Sequence, residues 1–214
     1  MLTALVATGV TNPLDRYAAN HWVIALEAQP ERLVSFSGLL FPHLQGSTAV
    51  VVLALWRYPA SVLVSTLVVA ACAWALRGTP GIALAWIAIL VVGNLAELAG
   101  KVAVARPTLT SRIGPLPGLT HSFPSGHTIR AIILAAAVAW TWPRLRRPAV
   151  VWGATAPLVL IPLGDHTPTD VLGGALVALI LLGLLSHVCS PADALQRTRC
   201  RGAVISPSRA AGRR

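Results

Sequence analysis

The chain has 214 residues, of which 55% are hydrophobic and 11% charged, with a formal net charge of +10 and a mean hydropathy of +0.70. That is too little polar surface to coat a water-soluble globule of this size, so a soluble domain is excluded and the chain reads as an integral membrane protein. A charge of +10 would suggest nucleic acid in a soluble protein, but here it follows the loops between apolar runs, so no nucleic-acid partner is expected.

Residues 1–32 come before the first long apolar run. Asn12 offers a helix cap with Pro13 at the first helical position, and Trp22 follows in a stretch of mixed polarity. This pattern predicts a short helix lying in the membrane interface. No basic segment leads into an apolar run with a small-residue cleavage site, so no signal peptide is expected.

Six apolar stretches then follow, approximately over Leu33–Trp56, Pro59–Leu76, Ile82–Ala105, Gly126–Trp142, Pro148–Leu163 and Thr169–His187. Crossing a hydrocarbon core of about 30 Å takes roughly 17 to 25 helical residues. Breaks marked by arginine, proline and glycine separate them, as at Arg57-Tyr58-Pro59 and Arg144-Leu145-Arg146-Arg147-Pro148. The expected fold class is therefore all-α: a six-transmembrane-helix bundle over residues 33–188 with an interfacial N-terminal helix. Residues 189–214 form a basic tail, expected to be disordered and to lie near anionic lipid at the cytoplasmic surface. Cys72, Cys189 and Cys200 show no metal-like spacing and read as inert.

Positive charge orients the bundle. With the N-terminus inside, the cytoplasmic segments hold Arg16, Arg32, Arg77, Arg144, Arg146, Arg147, Arg197, Arg199, Arg201, Arg209, Arg213 and Arg214. The outer segments hold Arg57, Lys101, Arg106, Arg112 and Arg130, so the split of the 17 basic residues is twelve against five. Both termini are expected in the cytoplasm, in a multi-pass protein of the cell membrane.

Three segments deliver polar residues to the expected outer face. The third stretch ends in Glu97, Lys101 and Arg106-Pro107, the fourth opens with HSFPSGHTIRA at 121–131, and the loop before the sixth reads GDHTPTD at 164–170. Each has an ordinary structural use. Ser125 after Pro124 suits a helix cap, Thr167 to Asp170 suits a capping box with Pro168 at its first helical position, and Glu97 with Lys101 suits an i,i+4 pair. A cap needs neither His127 nor His166, however, and ionisable groups at a membrane span point to function. His21, His43 and His187 lack such company and read as interfacial packing, with His121 intermediate. Among sixteen arginines the single lysine is Lys101.

Together these residues have the parts for phosphoryl transfer. Backbone amides and the helix dipole at Ser125-Gly126 would hold a phosphate, with Lys101 and Arg106 neutralising its oxygens. His166 would attack phosphorus with Asp170 fixing its tautomer, and His127 would protonate the leaving oxygen. Zinc on the two histidines with Asp165 or Asp170 is the alternative, but these show no recognisable ligand spacing.

The segments KVAVARP at 101–107, FPSGH at 123–127 and HTPTDVLGG at 166–174 resemble the three motifs of the type 2 phosphatidic acid phosphatase superfamily. These are membrane lipid phosphatases related to vanadium haloperoxidases. The resemblance implies His166 as nucleophile, Asp170 as its orienter, His127 as acid, and Lys101, Arg106, Ser125 and Gly126 as the phosphate cradle, with neither metal nor cofactor. Two departures stand out. Four residues rather than six separate Lys101 from Arg106, so counting from the lysine puts Thr108 in the arginine's place, and counting back from Arg106 puts Ala99 in the lysine's. The expected Ser-Arg of the third motif falls on Val159 and Leu160, and Arg130, three residues after His127, is the candidate replacement.

The expected function is hydrolysis of a lipid-linked phosphate or pyrophosphate, such as polyprenyl pyrophosphate, phosphatidate or phosphatidylglycerol phosphate, on the extracytoplasmic side. Membrane lipids are the surroundings and the lipid phosphate the partner. Two rivals use the same residues differently: a lipid phosphotransferase, and a non-catalytic protein that binds lipid phosphates or scaffolds other membrane proteins.

Overall fold

The computed structural model describes residues 1–22, 48–106, 121–163 and 165–188. The expected basic tail, Cys189 and Cys200, Thr108, and the first apolar stretch up to residue 47 lie outside the described residues. Within them the regular elements are helices, as expected: α1 Leu2–Ala7, α2 Asn12–Trp22, α3 Thr48–Arg57, α4 Val62–Ala75, α5 Pro80–Val104, α6 Gly126–Thr141, α7 Arg146–Val159 and α8 Pro168–Val188. Short 3-10 turns at Tyr58–Ala60 and Pro143–Leu145 join α3 to α4 and α6 to α7.

The helix ends follow local chemistry. Pro80 sits in the first turn of α5, where its missing N–H costs nothing. Ala105 ends that helix in the left-handed conformation (φ 49°), a turn that redirects the chain at Arg106. α7 stops at Val159, just after the internal Pro157, earlier than the apolar run to Leu163 suggests.

α6 is the central helix and packs against α4, α5, α7 and α8. Ile129, Ile133, Leu134 and Ala137 form one core with Val69 and Cys72 of α4, Trp86, Ile89 and Leu90 of α5, and Ala178 of α8. The outer face of α5 leaves Leu84, Ile87, Val91, Leu95, Leu98 and Val102 exposed at helical spacing, and α8 does the same with Leu172, Leu176, Leu179, Ile180 and Leu184. Such continuous apolar stripes suit a lipid surround.

Among the described residues, two helices are long and apolar enough to cross a membrane alone, Pro80–Val104 and Pro168–His187. Val52–Ala60 and Val62–Ala75 are long and apolar enough only when taken together, bent by 53° at their break, while Gly126–Thr141 is apolar but shorter. The protein is thus a membrane protein, and among the described residues the apolar stretches give two helices long enough to cross alone, a bent pair and the shorter α6 and α7. Burial at the bundle centre explains the short α6: it is enclosed by other helices and has little lipid to match.

One expectation is corrected. The charge count placed residues 1–32 on the face opposite the polar cluster, but the Asp15 carboxylate of α2 reaches Arg106 Nη2 at 2.5 Å and Thr169 Oγ1 at 2.7 Å. α2 therefore lies at the same end as the N-termini of α6 and α8. A buried carboxylate needs partners, and those available are at that end. Moving Arg16 across changes the basic split from twelve and five to eleven and six. Single cysteines at Arg16 and Arg112, in a background lacking the native ones, should label from the same side with an impermeant reagent, and one at Arg146 from the other. Labelling of positions 16 and 146 from one side would overturn this arrangement.

Candidate active site

The start of α6 is built by its own cap. Ser125 Oγ accepts from the Thr128 amide at 3.3 Å and from Thr128 Oγ1 at 3.1 Å, while the Ser125 amide donates to the Asp170 carbonyl at 3.0 Å. The N-termini of α6 and α8 are thereby tied together. At α8 the capping box forms as read from the sequence: the Thr167 amide donates to Asp170 Oδ2 at 2.9 Å and the Asp170 amide to Thr167 Oγ1 at 3.3 Å.

That box fixes Asp170, which is fully buried. Its Oδ1 also accepts from Arg106 Nη1 at 3.1 Å and from Ser122 Oγ at 3.4 Å. His166, one helical turn earlier, turns Nδ1 toward Asp170 Oδ2 at 3.7 Å. This exceeds hydrogen-bond reach, and His166 Nδ1 is buried without another partner, so the carboxylate is the acceptor it faces. Catalytic hydrogen bonds are commonly long before substrate tightens them. The His127 ring lies 6.3 Å from that of His166, centroid to centroid, at 57°.

The cations around the histidines are all paired. Glu97 accepts from Lys101 Nζ at 2.7 Å through Oε1 and from Arg130 Nη1 at 2.5 Å through Oε2. Arg130, buried, also donates through Nε to the Ala60 carbonyl at 2.8 Å and through Nη1 to Asn94 Oδ1 at 2.9 Å. Arg106 spans Asp170, Asp15, Thr167 Oγ1 at 3.1 Å and Thr169 Oγ1 at 2.7 Å. Arg57 pairs with Asp165. Four cations therefore face four carboxylates: Asp15, Glu97, Asp165 and Asp170.

Gly126 lets the Glu97 carboxylate come close. A Cβ there would run into the Glu97 carboxylate, which lies against the first residue of α6. A negative group thus already occupies the space beside the helix N-terminus, between Lys101 and Arg130, where an anion is favoured. Among the described residues, no three His, Cys, Asp or Glu side chains are grouped to hold a metal ion.

A family model described as the PAP2 superfamily matches residues 23–192. The chain belongs to the PAP2 superfamily. One solved structure resembles it with a TM-score of 0.52 at 18% identity, over 87% of this chain and 98% of the other. That structure is described as the first transmembrane PAP2 type phosphatidylglycerolphosphate phosphatase from Bacillus subtilis, and the likeness is one of fold. No curated protein matches the chain.

All eight residues singled out in the sequence of this PAP2 protein lie at the helix ends just described: Lys101, Arg106, Ser125, Gly126, His127, Arg130, His166 and Asp170. Arg130, the expected replacement for the arginine absent at Leu160, is held by Glu97, Asn94 and Ala60. Sequence reasoning passed over Asp15 and used Arg57 only in the charge count. Their partners lie 91 and 108 residues away, so no local spacing marks them. The available signal was an ionisable residue at the edge of an apolar run.

Proposed function

We propose that this PAP2 protein hydrolyses a lipid-linked phosphate monoester or pyrophosphate through a phosphohistidine intermediate, without a metal, at the extracytoplasmic face. The observation that carries the reading is the histidine pair at the bundle end, one ring backed by a buried carboxylate that also pairs Arg106. In the proposed course, His166 donates its Nδ1 proton as a hydrogen bond to Asp170, which leaves the Nε2 lone pair free to attack phosphorus. The new N–P bond forms as the bond to the lipid oxygen breaks, and His127 gives that oxygen a proton. Water then attacks the phosphohistidine, passes a proton to His127 and releases orthophosphate.

The site's cations would stabilise charge on the equatorial oxygens, the main demand in phosphoryl transfer. The eleven-to-six distribution of basic residues supports an outward-facing site. Phosphatidate, polyprenyl pyrophosphate and phosphatidylglycerol phosphate are the candidate substrates, the last also being the substrate class in the description of the Bacillus subtilis protein. Purified protein in detergent should release orthophosphate from at least one of the three, and a chelator should leave the rate unchanged. No release from any of them would overturn the reading, and transfer of phosphate to an alcohol instead of water would make the protein a transferase.

A further inference from the structure

Arg57 differs from the other cations of the site. It is the last residue of α3, outside all three motif segments, and the neighbouring Trp56 fixes its position. Trp56 Nε1 donates to Thr155 Oγ1 at 3.1 Å and the Trp56 carbonyl accepts from Trp152 Nε1 at 2.9 Å, both on α7. α7 stops at Val159, next to Leu160, the position where the family resemblance calls for an arginine. Leu160 is buried, and its carbonyl accepts from the amides of Asp165 at 3.1 Å and His166 at 3.3 Å. A guanidinium is thus brought to the site end of α7 from a different part of the chain.

Two further observations point the guanidinium at the reacting groups. Its partner Asp165 immediately precedes His166, and the guanidinium, like Lys101 and Arg130, is close enough for its charge to reach His127. Solvent access then separates this pair from the rest. The Arg57 and Asp165 side chains are 24% and 26% exposed, against 13% and 14% for Lys101 and Glu97, 5% for Arg130, and 13%, 3% and 0% for Arg106, Asp15 and Asp170. Replacing a carboxylate by an incoming phosphate costs least where the pair is already partly hydrated.

We propose that Arg57 binds the phosphoryl group in place of the arginine missing at Leu160, with Asp165 holding its guanidinium beside His166 until phosphate arrives. The inference rests on the phosphatase reading above. A guanidinium presents its N–H donors to carboxylate and phosphate alike, so one anion can replace the other without rebuilding the side chain.

Arg57→Ala, Arg57→Lys and Asp165→Asn, each checked for folding by thermal denaturation in detergent, test this. Arg57→Ala should lower kcat/KM by about tenfold or more, Arg57→Lys by less, and added methylguanidinium should restore part of the Arg57→Ala loss. Asp165→Asn should do the opposite and lower KM, because it removes the competing carboxylate. A merely structural ion pair would make both neutralised variants equally poor and unresponsive to methylguanidinium, which would overturn the proposal. Thermal stabilisation by orthophosphate judges it without turnover: the wild type and Asp165→Asn should be stabilised and Arg57→Ala should not. Wild-type protein that releases no phosphate overturns the function reading. Equal orthophosphate stabilisation of the wild type and Arg57→Ala overturns the role of Arg57 alone.

Discussion

Replacing His166 by alanine should abolish phosphate release, with kcat/KM falling on the order of 10³-fold or more, while the protein stays folded. The split between activity and stability is the informative part. His166 Nδ1 has no hydrogen-bond partner in the resting site, and Asp170 keeps its bonds to Thr167, Arg106 and Ser122 when the ring is removed. No buried group is orphaned, so thermal unfolding in detergent should move by only a few degrees. Brief exposure of the wild type to substrate labelled in the phosphate should leave acid-labile label on the protein, and His166→Ala should acquire none. Label retained by the variant, or strong inhibition of the wild type by a chelator that zinc reverses, would remove His166 as nucleophile.

Asp170→Asn should lose stability and activity together. The carboxylate is fully buried and serves the α8 capping box, the Arg106 guanidinium and the His166 ring at once. Removing one partner of a buried ion pair typically costs about 3 to 5 kcal/mol, and the lower end applies because Arg106 keeps Asp15. The amide also fails to hold the imidazole in the tautomer that leaves Nε2 free, a loss on the order of 10³-fold in kcat. Thermal denaturation and kcat on the same preparation check both. An Asp170→Asn protein with wild-type stability would show that the carboxylate does not brace the two helix starts, and one with wild-type kcat would separate it from His166.

What could be read in the sequence was what is encoded locally. Hydropathy gave the all-helical class, Ser125 marked a helix start, and Thr167-Pro168-Thr169-Asp170 announced a capping box that forms atom for atom. The three polar segments share one end because helices that traverse a bundle alternate direction. What could not be read depends on pairing between distant segments. Arg106 and Arg130 were expected to face phosphate, but nothing local shows that Asp15, 91 residues before Arg106, or Glu97, 33 before Arg130, engages them. The side on which α2 lies escaped the charge count for the same reason: one buried carboxylate outweighs a loop rule that rests on exposed arginines.

If this cluster binds phosphate as proposed, the matching of cations to carboxylates makes the resting site an anion exchanger already loaded with its own counter-ions. Of the chain's seven acidic residues, four are spent there. A visiting anion would then have to displace a resident one, so its charge would decide the outcome more than its shape. Bilayer phospholipids are mostly phosphodiesters with a single negative charge, and such a headgroup would replace a carboxylate like for like with no net gain. A terminal phosphate monoester carries about 1.5 to 2 charges at neutral pH and wins that contest. On the proposed function, the internal acids would set a threshold that lets a rare terminal phosphate or pyrophosphate be picked out of a sea of diesters, in a protein whose surroundings are made of the competing ligand.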